Sequence, residues 1–273
     1  VLGLDASFAT INQATFTRMK GLGYGIFIED CWTGGYANNP SLRAVAEPNL
    51  RNAQAAGLII AIYSNANPWY DVQTSVRETK ANAGGMWDAV KVVAVDLEIA
   101  GTTEQQAFDL GLAFEAEGKK VCVYTARWVH DRDGNPPWTR LARWPLWVCQ
   151  ADKKPDIGTT RPVASWSATQ IIGKQFDTDT GLFGKAVDLN MFEESFFEEE
   201  DMNETQLTAI LAVFNVLATP RSAGQPLDSY FDPLPDETWA AAWRWLGAPT
   251  PPPQPSIGSG RRWLGLIAGD FRR

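Results

Sequence analysis

Val92-Val93-Ala94-Val95-Asp96-Leu97-Glu98 is a run of small and β-branched apolar residues that ends in two carboxylates two positions apart. Such a run reads as a buried strand of a parallel sheet. Strand side chains alternate, so Asp96 and Glu98 project to the same side. Burying a charge without partners is costly, and acids closing an apolar strand therefore need a reason. One reason is chemistry, because paired carboxylates at the carboxyl end of a barrel strand are what glycoside hydrolysis uses. The other is a solvated acid pair in a strand-to-helix loop, since structural networks also hold perturbed carboxylates.

Working outward, the same strand-then-helix rhythm runs from the first residue to about 193. Leu2 to Asp5 reads as a first strand, Asn12 to Gly21 as a helix and Tyr24 to Ile28 as a second strand running into Glu29 and Asp30. Ser41 to Ala56 is a helix closed by Gly57, Leu58 to Tyr63 a third strand, and Thr74 to Ala89 a helix interrupted near Gly84-Gly85. After the strand ending at Asp96 and Glu98 come an amphipathic helix over Glu104 to Glu117 and a fifth strand over Val121 to Tyr124. Leu146 to Gln150, Ala168 to Phe176 and Ala186 to Asn190 then read as short strands with little helix between them. Alternation of this kind implies a parallel α/β barrel with helices outside. The expected fold is an irregular, TIM-like (β/α) barrel of five βα units and three further strands.

In such a barrel the strand ends meet at one mouth. Asp5, Glu29, Asp30, Tyr63, Asn65, Asp96, Glu98 and Tyr124 fall at strand ends, and Gln175 and Asp188 lie in the last two strands. Gly21-x-Gly23-x-Gly25 precedes a strand instead of following one, so it reads as turn punctuation and not as a dinucleotide loop.

Composition narrows the field. The 273 residues suffice for one barrel or one domain with an appendage, and 45% hydrophobic with 21% charged residues is ordinary for a soluble globular chain. With 24 basic and 32 acidic side chains the net charge is −8, which leaves no basic stripe for nucleic acid. The same charge gives no attraction to an anionic bacterial surface. Twelve Trp is high. Indole faces serve as sugar platforms, although core and interface packing accounts for most such residues. Cys31, Cys122 and Cys149 are widely spaced and form no zinc pattern, and Cys122 and Cys149 read as buried thiols. His130 is the one histidine and lies in a polar stretch read as a loop, which argues against Ser-His-Asp or Cys-His catalysis. No apolar stretch approaches the roughly 20 residues of a bilayer span. The first residues show no basic-then-apolar signal segment, so synthesis in a host cytoplasm without a leader is expected.

Six segments, in order, carry a family resemblance. They are Gly3-Leu4-Asp5-Ala6-Ser7, the stretch Ala53-Gln54-Ala55-Ala56-Gly57-Leu58 continuing to Tyr63, Val95-Asp96-Leu97-Glu98, Val123-Tyr124-Thr125, Trp144-Pro145-Leu146-Trp147-Val148, and Val187-Asp188-Leu189-Asn190-Met191-Phe192. Together they resemble glycoside hydrolase family 25, the lysozyme-like muramidases of phages and bacteria, over residues 1 to about 193. The resemblance implies cleavage of the β-1,4 bond between N-acetylmuramic acid and N-acetylglucosamine in peptidoglycan, with no metal and no organic cofactor. It implies Glu98 as general acid/base, kept protonated by crowding from Asp5, Asp96 and Asp188. Asp96 and Asp188 are then expected to stay ionised and face the developing oxocarbenium, with Asp5 completing an acidic floor. Tyr63, Tyr124, Trp147, Glu29, Asp30 and Gln175 are the expected substrate-side residues. Attack by carboxylate, acetamido group or water all stay open, because carboxylate separation decides between them.

Two departures stand out. Glu29-Asp30-Cys31-Trp32-Thr33-Gly34-Gly35 replaces the family's usual K-A-T-E-G, putting an acid where a cation is common, and Ser64-Asn65 stands where His or an aromatic is more usual. These leave room for an altered substrate, a more acidic optimum, an inert barrel that only binds glycan, or a structural phage tail protein.

The remainder is a different kind of chain. Residues 194–248 read as an acidic linker and helical appendage, with an amphipathic helix over Met202 to Leu217 and a Trp-rich one over Thr238 to Leu246. Residues 249–273 read as a Pro-rich arm and a terminal docking segment that is apolar with basic flanks. Such a segment can lie on a membrane, but docking on a protein partner is the preferred reading. An acidic muramidase without a wall-binding module fits a phage virion, where a structural partner in the tail supplies the targeting.

Overall fold

A computed structural model describes residues 1–33 and 40–197, with backbone alone for 40–43. The expected tail elements over 194–248 and 249–273 lie almost wholly outside the described residues. Eight strands close a barrel in chain order: β1 (Leu2–Ala6), β2 (Tyr24–Trp32), β3 (Ile59–Asn65), β4 (Val92–Asp96), β5 (Lys120–Ala126), β6 (Leu146–Cys149), β7 (Ile171–Leu182) and β8 (Lys185–Phe192). Helices α1 (Gln13–Gly21), α2 (Pro40–Ala55), α3 (Val72–Ala83), α4 (Glu104–Ala116) and α5 (Arg127–Arg132) follow the first five strands, and only short 3-10 turns accompany the last three. This is the irregular α/β barrel the alternation predicts.

Local signals explain where the helices begin. Asn12, Asp71 and Thr103 each accept a backbone N–H three residues on, at 2.9, 2.7 and 3.2 Å, and so cap α1, α3 and α4.

Strand alternation divides the apolar residues into two sets. Phe27, Ile60, Ile62, Val93, Val95, Val121 and Val123 face outward into the layer between barrel and helices. Ile26, Ile28, Ala61, Val92, Ala94, Cys122, Trp147 and Phe192 face inward and fill the barrel's lower half. The Phe192 ring closes this floor. It fits because β1 and β7 offer glycines there: a Cβ on Gly3 or Gly173 would come within 2.7 or 2.5 Å of the ring. Phe197 packs on Phe192 at 5.0 Å between ring centroids, so the barrel's packing continues to the last described residue.

The structure corrects four readings. First, the barrel is not wholly parallel, since β8 runs antiparallel to both β1 and β7. The cause is the two-residue link Phe183-Gly184, with φ of 52° and 74°, which makes a tight hairpin where a parallel return would need a crossover. Second, β2 continues to Trp32, so Glu29 and Asp30 sit within the strand and not beyond its end. Third, His130 is not in a loop. It lies in α5, is buried, and donates from Nε2 to the Pro136 carbonyl at 2.9 Å with its ring against Trp138. All three cysteines are free, and Cys149 is only partly buried where a buried thiol was expected.

Candidate active site

The parity that sends Val92 and Ala94 inward sends Asp96 inward too, at the top of β4, and Glu98 follows two residues past the strand end. The same rule places Tyr63 above Ala61, Tyr124 above Cys122 and Gln175 above Gly173. Because β8 runs the other way, its early residue Asp188 reaches the mouth, paired in register with Asp5. Strands β4 and β8 are four places apart in an eight-strand ring, so Glu98 and Asp188 come from opposite walls.

These side chains line one cleft of about 220 Å³. Its wall holds Asp5, Tyr63, Asp96, Glu98, Tyr124, Trp147, Gln175 and Asp188 of the expected residues, and Ser7 and Asp179 besides. None of the described residues lining it is basic. The volume is below the ~300–1,000 Å³ of sites that swallow a drug-sized ligand, so a long substrate must also run over the surrounding loops. Trp69, in the β3–α3 connection, and Trp128, at the start of α5, are 72% and 53% exposed on that side of the barrel.

A hydrogen-bonded chain crosses the cleft. The Tyr124 hydroxyl donates to Gln175 Oε1 at 2.7 Å, and Gln175 Nε2 donates to Asp5 Oδ2 and Asp188 Oδ2, each at 3.0 Å. Asn190 Nδ2 adds a second donor to Asp5 at 2.7 Å and is itself oriented by Trp147 Nε1, which donates to its carbonyl at 2.9 Å. Asp188 also accepts the Asp179 backbone N–H at 2.7 Å. Glu98 Oε1 lies 3.4 Å from the Tyr124 hydroxyl. That hydroxyl has one proton, and Gln175 takes it at the shorter distance. The phenol oxygen is therefore placed to accept from a protonated Glu98 better than to donate to a charged one.

Burial, reinforced by the Asp188 charge and opposed by Arg132, holds Glu98 above the usual glutamate range. Crowding is thus secondary to desolvation, a change from the expected cause. Asp188 is also raised by burial, but the Asp179 N–H counters this. Asp5 is pushed up to about 7, first by burial and then by Asp188, against its two amide donors. Asp96 was expected to stay ionised. It is buried and its pKa stands well above the ordinary aspartate value, mainly through desolvation, with Glu98 next. Its Oδ1 accepts the Glu98 N–H at 2.7 Å, so it shapes the loop that carries Glu98.

Glu29 and Asp30 are absent from the cleft wall. Glu29 shares parity with outward-facing Phe27 and meets α2, where Asn49 donates to its Oε2 at 2.8 Å. Asp30 faces inward but lies buried beside Tyr63, its register partner on β3; its Oδ1 accepts the Trp32 N–H at 3.0 Å. Burial pushes Asp30 up to about 8. Ser64 faces α3, 2.9 Å from the Thr79 hydroxyl, and Asn65 contacts Asp96.

Asn190 and Asp179 escaped the sequence reading. Asn190 had a signal, because it shares a face with Asp188 two residues away. Asp179 had none: it enters the wall through an irregular register of the β7–β8 pair between Asp177 and Thr180. Among the described residues, no group of three or more His, Cys, Asp or Glu is arranged to hold a metal ion.

Among solved structures, the chain is similar to GHIP, a glycosyl hydrolase 25 of Streptococcus pneumoniae, with a TM-score of 0.50 and 12% identity over 72% of this chain and 90% of that one. Two longer proteins align less well. One is the modular autolysin LytC of Streptococcus pneumoniae, in complex with a synthetic peptidoglycan ligand (TM-score 0.46, 12% identity, 69% of this chain and 46% of that one). The other is the multimodular pneumococcal cell wall endolysin from phage Cp-1 complexed with choline (TM-score 0.46, 16% identity, 75% and 57%). The chain spans about half the length of these two. No protein-family model and no curated protein matches the sequence. The barrel has the fold of a glycosyl hydrolase 25.

Proposed function

We propose that this barrel, which has the glycosyl hydrolase 25 fold, is a peptidoglycan-degrading muramidase that cleaves the β-1,4 bond between N-acetylmuramic acid and N-acetylglucosamine. The observation that carries the reading is the pairing of Glu98 with Asp188 across a cleft lined by acids and by no described basic residue. Such a cleft repels anionic reacting centres such as phosphate and favours a centre that becomes positive. Glycosidic cleavage supplies one, because the sugar passes through an oxocarbenium-like transition state.

In this mechanism Glu98, kept protonated by burial, gives its proton to the glycosidic oxygen as the bond to C1 breaks. Asp188, with N–H donors from Asp179 and Gln175, stabilises the positive ring from the opposite side. The Tyr124–Gln175 chain links the two and fixes their separation. Flanking sugars run over the connections that carry Trp69 and Trp128, whose exposed indoles suit pyranose faces.

We further place the enzyme on a phage tail, held to a structural partner by residues 199–273. Supporting this is the charge of −8, which gives no purchase on an anionic wall.

Products from purified peptidoglycan test the activity. New reducing ends on N-acetylmuramic acid, lost with Glu98→Gln while wall binding persists, are the expected result. Retention on the wall with no products from the wild type would instead identify an inert glycan-binding barrel. For the tail, a chain ending at residue 198 should keep hydrolysis of soluble fragments and lose incorporation into particles.

A further inference from the structure

The geometry points to Arg132 as a positioning residue for Glu98, acting through the backbone of the loop after β4 and not on substrate. The inference rests on Glu98 being the proton donor. Sheet pairing ends just before that residue: the Leu97 N–H still donates to the Tyr124 carbonyl at 3.1 Å, whereas Glu98 has no strand partner. Its backbone is instead pinned from two sides. The N–H donates to Asp96 Oδ1 at 2.7 Å, and the carbonyl accepts from Arg132 Nη1 at 2.7 Å.

Arg132 closes α5, which belongs to the next strand-helix unit, and its guanidinium is itself held in place. Nε and Nη2 donate to the two carboxylate oxygens of Asp133 at 2.7 and 2.9 Å, and the group lies 5.4 Å from the Trp128 ring centroid. A two-pronged grip of this kind fixes the guanidinium plane, so the remaining N–H points in a set direction. The Arg132 side chain is 29% exposed, where an ion pair adds little stability. What the arrangement does achieve is a fixed donor at the Glu98 carbonyl.

The charge matters as well. Tyr124 of β5, Asp188 of β8, Asp5 of β1, Asp96 of β4 and Cys149 of β6 interact electrostatically with the Glu98 carboxyl. Among the described residues Arg132 is the cation acting on it, and it pulls the Glu98 proton affinity down against burial and Asp188.

Full-length Arg132→Gln and Arg132→Lys separate the two effects. With the Gln variant, kcat on soluble wall fragments should fall about 10- to 100-fold, while KM stays within about twofold because ground-state binding is untouched. Its Glu98 carboxyl, followed by carbon-13 NMR, should titrate at higher pH than in the wild type. The Lys variant should restore the titration but not kcat, because an ammonium keeps the charge and lacks the fork. Amides of residues 99–102 should exchange faster with solvent in both. An unchanged kcat and titration in the Gln variant overturn the inference, as does full recovery of kcat with Lys, which would leave charge alone as the cause. If the wild type releases no products, the hydrolase reading fails; titration and amide exchange still decide whether Arg132 holds Glu98 in place.

Discussion

Two walls of the same mouth treat their carboxyl groups differently. On the β1–β8 side, Asp5 and Asp188 share the Gln175 amide, and each has a further N–H donor, from Asn190 and Asp179 respectively. On the β4 side, the Glu98 carboxyl has one hydrogen-bonding neighbour among the described residues, a phenol 3.4 Å away whose proton is already committed to Gln175. N–H donors favour the charged form of an acid, and burial without them favours the neutral form. Burial raises both groups, but N–H donors oppose the rise at Asp188, so of the two it is better placed to carry charge and Glu98 to hold a proton. Proteins of this size assign acid and base roles through such differences in environment more than through residue type.

Several experiments break or sharpen that contrast. The largest effect is expected from Asp188→Asn, which keeps the shape and removes the anion: kcat should drop about 10³-fold, read as reducing ends released per minute. A drop below about tenfold would mean that Asp5 or water carries the charge instead.

The next effect concerns stability. Asn49 donates to the Ala9 carbonyl and to Glu29, and accepts the Ile11 N–H. Asn49→Leu strands all three, so urea unfolding should show a loss of about 3 kcal/mol. Because Glu29 is outside the cleft, kcat per folded molecule should not change. A kinetic defect would return Glu29 to the site.

Gln175→Leu is expected to cost about 10- to 30-fold in kcat, since it cuts the link between the walls. It also has a pH signature. Loss of an N–H donor raises the Asp188 proton affinity further, so the acidic limb of the rate profile should move to higher pH. An unmoved limb would show that Asp188 does not govern it.

A last effect is the pH dependence of thermal stability. Asp5 and Asp30 titrate near 4 when unfolded and at about 7 and about 8 when folded. The folded state therefore binds more protons through that interval, and their contribution to stability is present at low pH and lost as pH rises toward 8. Melting temperature should fall across this window, and Asp30→Asn should flatten the upper part by removing one of the two groups. A rise in melting temperature from pH 5 to 8 would contradict the burial of these acids.

Much of this mouth was legible in the sequence for a simple reason. An apolar strand that ends in acids declares both its buried face and its reactive end, so Asp96, Glu98 and Tyr124 could be placed from alternation alone. The same rule misled at Glu29 and Asp30. It assumed the strand stopped where the apolar residues stopped, but β2 runs on to Trp32. Two adjacent acids inside a strand must face opposite ways, one toward α2 and one into the barrel beside Tyr63. The direction of β8 was hidden because Phe183-Gly184 lacks the Asn-Gly or Asp-Gly signature of a tight hairpin. His130 was misplaced because a single turn and a half of helix leaves too short a period to read.

The separation of roles between the walls is tested most directly by following the Glu98 carboxyl through a pH titration in the wild-type protein. The account predicts a midpoint above that of a solvated glutamate, and a rate that falls as pH rises through that midpoint. A Glu98 that titrates at the solvated value of about 4.3, with activity unaffected above it, would contradict the assignment of the proton donor.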